Sequence, residues 1–143
     1  MNAVDCPFCA IASGATRASL LLDKGGVLAF MDLRQAIPGH VLVVPRRHVP
    51  DIYDLAPDEA AAIMQVAVRV ARALRSRYDM PGLNLWQSNG EAGGQEVGHF
   101  HLHVHPRQDS DGLLRVYPDG LPPPAARMSL DAMANSLREH LRA

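Results

Sequence analysis

Lysine is nearly absent from this chain. Of its 14 basic residues only Lys24 is a lysine, and 15 acidic residues bring the formal net charge to −1. No long basic run occurs, which argues against nonspecific nucleic-acid binding as the main task. Small anions stay open, because a few local donors suffice to hold one. No apolar run approaches the roughly 20 residues that span a bilayer. The opening MNAVDCPFCA has no basic stretch followed by an apolar one, so it does not read as a secretory signal. A cytoplasmic protein with neither nucleic acid nor membrane as partner is expected. Cysteine is scarce as well: Cys6 and Cys9 stand alone, in a C-x-x-C spacing. In a reducing compartment that spacing marks a metal knuckle or a redox pair more often than a structural disulfide. Internal repeats and low-complexity blocks are absent.

What is present suits one globular domain spanning 1–143, with its core in 5–107 and an extension plus helix in 108–143. The 143 residues are 48% hydrophobic and 20% charged. Residues 18–23 and 27–32 read as strands joined by a turn at Lys24-Gly25-Gly26, since glycine accepts positive φ. HVLVVP (40–45) is a β-branched run ended by Pro45. Residues 57–78 form the clearest helix. Pro57, Asp58 and Glu59 suit its start, and Ile63, Ala67, Val70 and Leu74 recur at helical spacing. Its arginines at 69, 72, 75 and 77 are read as a solvated face. LNLWQS (83–88) is a further strand, followed by a loop with four glycines (89–98). After the polyproline spacer 121–126, residues 129–141 read as an amphipathic helix with Ser129 as its N-cap. Consecutive strands with short turns favour an α+β fold with an antiparallel sheet.

The segment EVGHFHLHVHPR (96–107) carries four of the seven histidines, at 99, 101, 103 and 105. Alternate residues of a strand share a face, so His99, His101 and His103 align against Phe100, Leu102 and Val104, and His105 follows them if the strand runs that far. One histidine on such a face is usually a satisfied structural residue; three in register are not easily read that way. Two chemistries compete. Histidines two apart on a strand, with a third, can hold a zinc with an open position for water, making a metal-activated hydrolase. Alternatively, the glycine-rich GEAGGQ can bring backbone N–H groups to an anion. An imidazole can then attack phosphorus while its neighbours hold the oxyanion charge.

HFHLHVH resembles the His-φ-His-φ-His-φ-φ signature of the histidine-triad (HIT) superfamily. PGHVLVVPRRHV resembles the family's second block, FMDL its nucleotide-contacting strand end, and CPFCAIASG the zinc-bearing N-terminus of many bacterial members. These segments cover most of 5–107; the C-terminal third is not diagnostic. All three triad histidines are kept, as in the hydrolase branches, the Hint and fragile-histidine-triad types; the uridylyltransferase branch replaces the third.

The resemblance implies a HIT-like fold: a five-stranded antiparallel sheet, a long central helix and a C-terminal helix. It implies a nucleotide hydrolase or transferase acting on a phosphoramidate or dinucleoside polyphosphate. The reaction passes through a covalent nucleotidyl-histidine and releases a nucleoside monophosphate. His101 matches the nucleophile, His103 the phosphoryl-binding histidine, and His40 a supporting residue beside the nucleophile; His99 completes the triad. Asp32 matches the ribose-binding carboxylate. Phe30, Phe8 and Ile11 would line the base slot, though each is otherwise an ordinary core residue. Gly94 and Gln95 would frame the α-phosphate, with Ser88 or Asn89 offering a further polar group. Cys6, Cys9, His48 and His99 match a structural zinc site. Members of the family are usually homodimers, with helix 57–78 and strand 83–88 at the contact.

Three positions depart from the pattern: Ser88, with Asn89 next to it, stands where the family usually offers an amide to the phosphate, and the other two are Glu96 and His105. Glu96 stands where the hydrolases often carry Ser or Thr. A carboxylate there repels polyphosphate or selects a cationic leaving group. His105 stands at the signature's last apolar position; it is read as partly exposed beside Pro106 and given no role. The rival readings remain a catalytic metal on the triad, and a nucleotide-binding module with little catalysis.

Overall fold

The computed structural model describes residues 1–141 and has the expected α+β architecture. Five strands form one antiparallel sheet in the order β1-β2-β3-β5-β4. They span Leu20–Lys24 (β1), Val27–Met31 (β2), Val41–Pro45 (β3), Gly82–Trp86 (β4) and Leu102–Arg107 (β5). The helices are Pro7–Ala12 (α1), Pro57–Arg77 (α2) and Arg127–His140 (α3). The chain divides into two compact units, Met1–Asp111 and a second that begins at Gly112. Among the described residues no helix is long and apolar enough to cross a membrane.

The central strands are apolar without alternation because both of their faces are covered. Val27, Ala29, Val41 and Val43 point to the core shared with Ile63, Val66, Ala67, Val70 and Leu74 of α2. Leu28, Phe30, Leu42 and Val44 point to the opposite face, where Phe8 and Cys6 cover them. Phe100, Leu102 and Val104 join the α2 side as expected. The histidine face of β5 is therefore on the α1 side, and α1 is the element that roofs it.

Helix α1 was not apparent from periodicity, because six residues are too few to show it. Cys6 is its N-cap, its Sγ accepting from the Cys9 amide, and Pro7 fits the first turn. The C-x-x-C thus opens a helix, but no strand precedes it, unlike a thioredoxin-type setting. At α2 the cap residue is Ala56, which has no side-chain acceptor. Glu59 supplies the reciprocal half of the box by accepting from the Ala56 amide at 3.0 Å, and it also pairs with Arg47. The start of α3 differs from expectation: its N-cap is Ala126, not Ser129, whose amide instead donates to the Ala126 carbonyl inside the first turn. None of its residues is buried.

The β2–β3 connection positions the site. Gln35 braces it, its amide donating to the carbonyls of Asp32 and His40 while its oxygen accepts from Gly39 and His40. Gly39 has φ +110°, and a Cβ there would lie 2.9 Å from the Pro106 ring and 3.0 Å from Leu74. Only glycine lets the chain pass this point and deliver His40 to the sheet.

Candidate active site and metal centre

The histidine row splits into two groups. The hydrogen-bonded strand begins only at Leu102, so His99 and His101 precede it. His99 is fully buried and turns toward α1. Its Nε2 lies 2.8 Å from the Pro45 carbonyl, so that nitrogen carries the proton and Nδ1 keeps its lone pair. Nδ1 faces the cysteines, 3.3 Å from Cys6 Sγ and 3.6 Å from Cys9 Sγ. Cys9 Sγ is 3.3 Å from His48 Nδ1.

This donor set fits a tetrahedral metal. Bonds of about 2.3 Å to sulfur and 2.0–2.1 Å to nitrogen imply S···N edges of roughly 3.5 Å. The four candidate ligand atoms all lie within 4.8 Å of one another. The charge logic agrees: burial, then the neighbouring Cys6, raises the Cys9 thiol to about 11. Two thiolates would not form here side by side without a cation to balance them. Burial holds His99 below its usual value, hence neutral, the form that ligates. The Pro45 carbonyl supplies the outer contact that fixes the ligating tautomer. His48 Nε2 is buried without a hydrogen-bond partner among the described residues.

His101 belongs to the second group. It is buried, and its Nδ1 lies 2.7 Å from the His99 carbonyl, which accepts its proton. Nε2 is then the lone pair. Phe8 meets the ring edge-on at 5.3 Å and also packs on Phe30 at 5.5 Å. Ile11 adds a partly buried contact to the same cluster. His103 follows across the site, its ring centroid 4.9 Å from that of His101.

His40 is placed differently from expectation. It pairs with His103, not with His101: His40 Nε2 is 2.9 Å from His103 Nδ1. The register explains this, because Leu42 pairs with His103 and the next inward-facing residue of that chain is His40. The ring planes differ by 29° and their centroids are 5.1 Å apart, so the rings meet edge to edge along the N···N line. On its other side His40 Nδ1 faces the Arg34 carbonyl at 3.3 Å and Asp32 Oδ2 at 3.8 Å. Both are acceptors, so Nδ1 carries a proton. Asp32, His40 and His103 also lie close enough to be considered as metal ligands. In this arrangement they do not suit one: a metal needs about 2.0–2.1 Å to each nitrogen, and a 2.9 Å in-line approach suits a shared proton. Burial first, then the neighbouring imidazoles, pushes His103 down to about 3. Burial also lowers His40, with the Asp32 carboxylate opposing.

His105 is the clearest correction. It is 3% exposed, not a surface residue, and packs on His40 with centroids 4.4 Å apart. Trp86, which the sequence reading passed over as a strand residue, stacks on His103 at 4.3 Å and 9°. The β4–β5 register opposes Trp86 to His103 and so puts them on one face. No periodicity reports that pairing.

The glycine loop also differs from the anion cradle expected of it. Residues Glu91–Gly93 form a 3₁₀ turn, and the amides of Gly93, Gly94 and Gln95 donate back to the carbonyls of Gly90 and Glu91. The Gln95 side chain accepts from the Gly90 amide and donates to the carbonyls of Pro50 and Val97. Asn89 accepts from the Ile52 amide and exchanges hydrogen bonds with Gln87. These groups hold the loop rather than point from it. Ser88 is half-buried beside them. Glu96 is exposed and reaches Arg34 at 3.5 Å, joining the glycine loop to the β2–β3 connection.

Antiparallel sheet, roofing helix and paired histidines define a histidine-rich α+β protein with a separate thiol–imidazole cluster. The HIT domain family matches residues 14–110, and the chain belongs to that family. It is 36% identical over 116 residues to the protein hit of Bacillus subtilis, covering 80% of each chain. The structure superposes on a HIT family protein from Bacillus anthracis with a TM-score of 0.87 at 34% identity, covering 97% of this chain and 99% of that one. It also resembles a zinc-bound histidine triad family protein from Mycobacterium smegmatis, with TM-score 0.73, 38% identity, and 82% and 86% of the two chains covered.

Proposed function

We propose that this protein is a nucleotide hydrolase or transferase that attacks the α-phosphorus of a nucleoside phosphate derivative through His101. One observation carries the reading: the Nδ1–H of His101 is tied to the His99 carbonyl, leaving Nε2 as a nucleophilic lone pair beside Phe8 and His103. The P–N bond forms as the bond to the leaving group breaks, and the leaving group takes up a proton. Water then attacks the nucleotidyl-histidine, loses a proton, and restores His101 with release of the monophosphate.

His103 holds the phosphoryl oxygens. With Nδ1 of His40 protonated, a neutral pair places the shared proton on His103 Nδ1 and leaves its Nε2 bare. One added proton turns that Nε2 into a donor to an anion, and the Asp32 carboxylate behind His40 offsets the charge. Asp32 also has an oxygen for a ribose hydroxyl, and Phe8, Phe30 and Ile11 form an apolar wall for a base. In this reading Gly94, Gln95, Asn89 and Ser88 shape the phosphate end through the loop they hold, and Glu96 stands at its rim. The substrate is an adenosine phosphoramidate or a dinucleoside polyphosphate.

For the cluster of Cys6, Cys9, His48 and His99 we propose zinc, in a structural role, since all four coordination positions are filled by protein. Cys6 and Cys9 at α1, His48 after β3 and His99 at the start of the triad segment would hold it, and the ion would cross-link these three segments. A homodimer is proposed through the sheet-edge strand β4, whose Leu85 is exposed, and through α2, where Met64 and Val68 are exposed.

The test is an acid quench during turnover of labelled substrate. An acid-labile adduct on His101 is expected, and full activity in His101→Ala rejects the mechanism. Tight monophosphate binding without turnover of either substrate class would leave the binding-module reading.

A further inference from the structure

His105 and Trp86 have no part in the reaction as described, yet the fold buries both against its proton-sharing pair. Placing an imidazole at a 3% exposed position has a desolvation cost that an aliphatic residue would avoid. One hydrogen bond offsets part of it: His105 Nδ1 lies 2.5 Å from the Pro106 carbonyl and donates to it. This bond fixes the ring's orientation, so its flank rests on His40 at 4.4 Å. Trp86 lies flat on His103 at 4.3 Å and 9°, and meets His105 at 5.4 Å. The four rings form a closed cluster: His40 and His103 share a proton edge to edge, and His105 and Trp86 press on their flanks.

A buried imidazole can flip about χ2, which puts ring carbons where its nitrogens were. For His103 that flip would break the 2.9 Å bond to His40 and turn a ring carbon, in place of Nε2, to the site. A coplanar indole opposes the rotation, because a ring turning under it must pass through its face. His40 is held likewise by His105 on one flank and by the Arg34 carbonyl at Nδ1.

We propose that His105 and Trp86 are positioning residues that lock the His40–His103 pair in one tautomer and one ring orientation, with Nε2 of His103 presented to the phosphoryl group. This rests on the reading of His103 as the phosphoryl-binding group. The groups facing the pair are Asp32 from the β2–β3 connection, His101 and His105 from the triad segment, and the uncharged Trp86 from β4.

The experiment compares wild type with Trp86→Leu, Trp86→Phe and His105→Leu. Its first readout is the imidazole ¹⁵N spectrum of His40 and His103, which needs no substrate. A single tautomer for each is expected in wild type and Trp86→Phe, with averaged tautomers in Trp86→Leu and His105→Leu. Its second is turnover of adenosine 5′-phosphoramidate: kcat is expected to fall about tenfold or more in the two Leu variants with KM within about twofold, and Trp86→Phe to recover most of it. Wild-type tautomers retained in both folded Leu variants overturn the proposal, and so does a loss in KM alone. Should wild type not turn over the phosphoramidate, the functional reading fails while the spectra still decide this one.

Discussion

His40 and His103 lie 63 residues apart in the chain and meet at 2.9 Å, nitrogen to nitrogen. The β2–β3 connection delivers His40 and β5 delivers His103, and burial lowers both toward the neutral state. The pair therefore gains its extra proton when an anion arrives to share it. Nucleoside monophosphate binding is expected to take up a proton, so affinity falls as pH rises. Calorimetry in two buffers of different ionisation enthalpy measures the uptake directly. Equal heats in both would contradict it.

The same burial predicts the acid stability of the fold. His103 is pushed from 6.5 to about 3, so between these values the unfolded chain binds a proton that the folded chain refuses. The unfolded state gains protons as pH falls, so this contribution is present above pH 6.5 and lost progressively below it. His40 acts in the same direction. Thermal melts from pH 7 to 4.5 should show Tm falling, with a shallower fall in His103→Phe. A flat profile would argue that the pair titrates normally.

Metal dependence separates the two zinc readings. Cys6→Ser is expected to lose bound zinc, measured by elemental analysis, and to lower Tm by several degrees, because the site links α1 to the sheet. A His101→Ala, His103→Ala double variant is expected to keep its zinc. The reverse pattern would place the metal on the triad.

Glu96→Ser removes one negative charge at the rim of the proposed site and releases Arg34. One charge at a few ångströms in water-like surroundings is worth on the order of 1 kcal/mol, or about fivefold. Turnover of diadenosine polyphosphate is expected to rise by about that factor relative to adenosine phosphoramidate. An unchanged ratio in 150 mM salt would remove Glu96 from substrate choice.

Gly39→Ala tests the delivery of His40. The added methyl would lie 2.9 Å from Pro106, closer than Cβ atoms come, and 3.0 Å from Leu74, in a backbone region that alanine rarely adopts. A stability loss of about 1–3 kcal/mol is expected from strain and overpacking. Denaturant unfolding checks it, and a loss within 0.5 kcal/mol or so would show the loop free to yield.

Local patterning alone determined much of this molecule. The apolar runs 27–32 and 40–45, the periodicity of 57–78 and the short turns between strands defined an antiparallel α+β sheet with one long packed helix, because these are properties of neighbouring residues. The spacing of Cys6, Cys9 and the triad histidines marked where chemistry should be sought. Which side chains meet was decided only by the tertiary structure. His99 turns to the cysteines because the hydrogen-bonded strand starts three residues later, and His40 pairs with His103 because strand register opposes their chains. His105 is buried, and Trp86 joins the cluster, because β4 lies beside β5. The amides of the glycine loop turn inward because Gln95 and Asn89 close it through bonds to Pro50 and Ile52, more than 35 residues away. Register and long-range hydrogen bonding have no signature in a single local window, so most of the site's residues were legible in the sequence, while its pairings and the places of Trp86 and His105 were not.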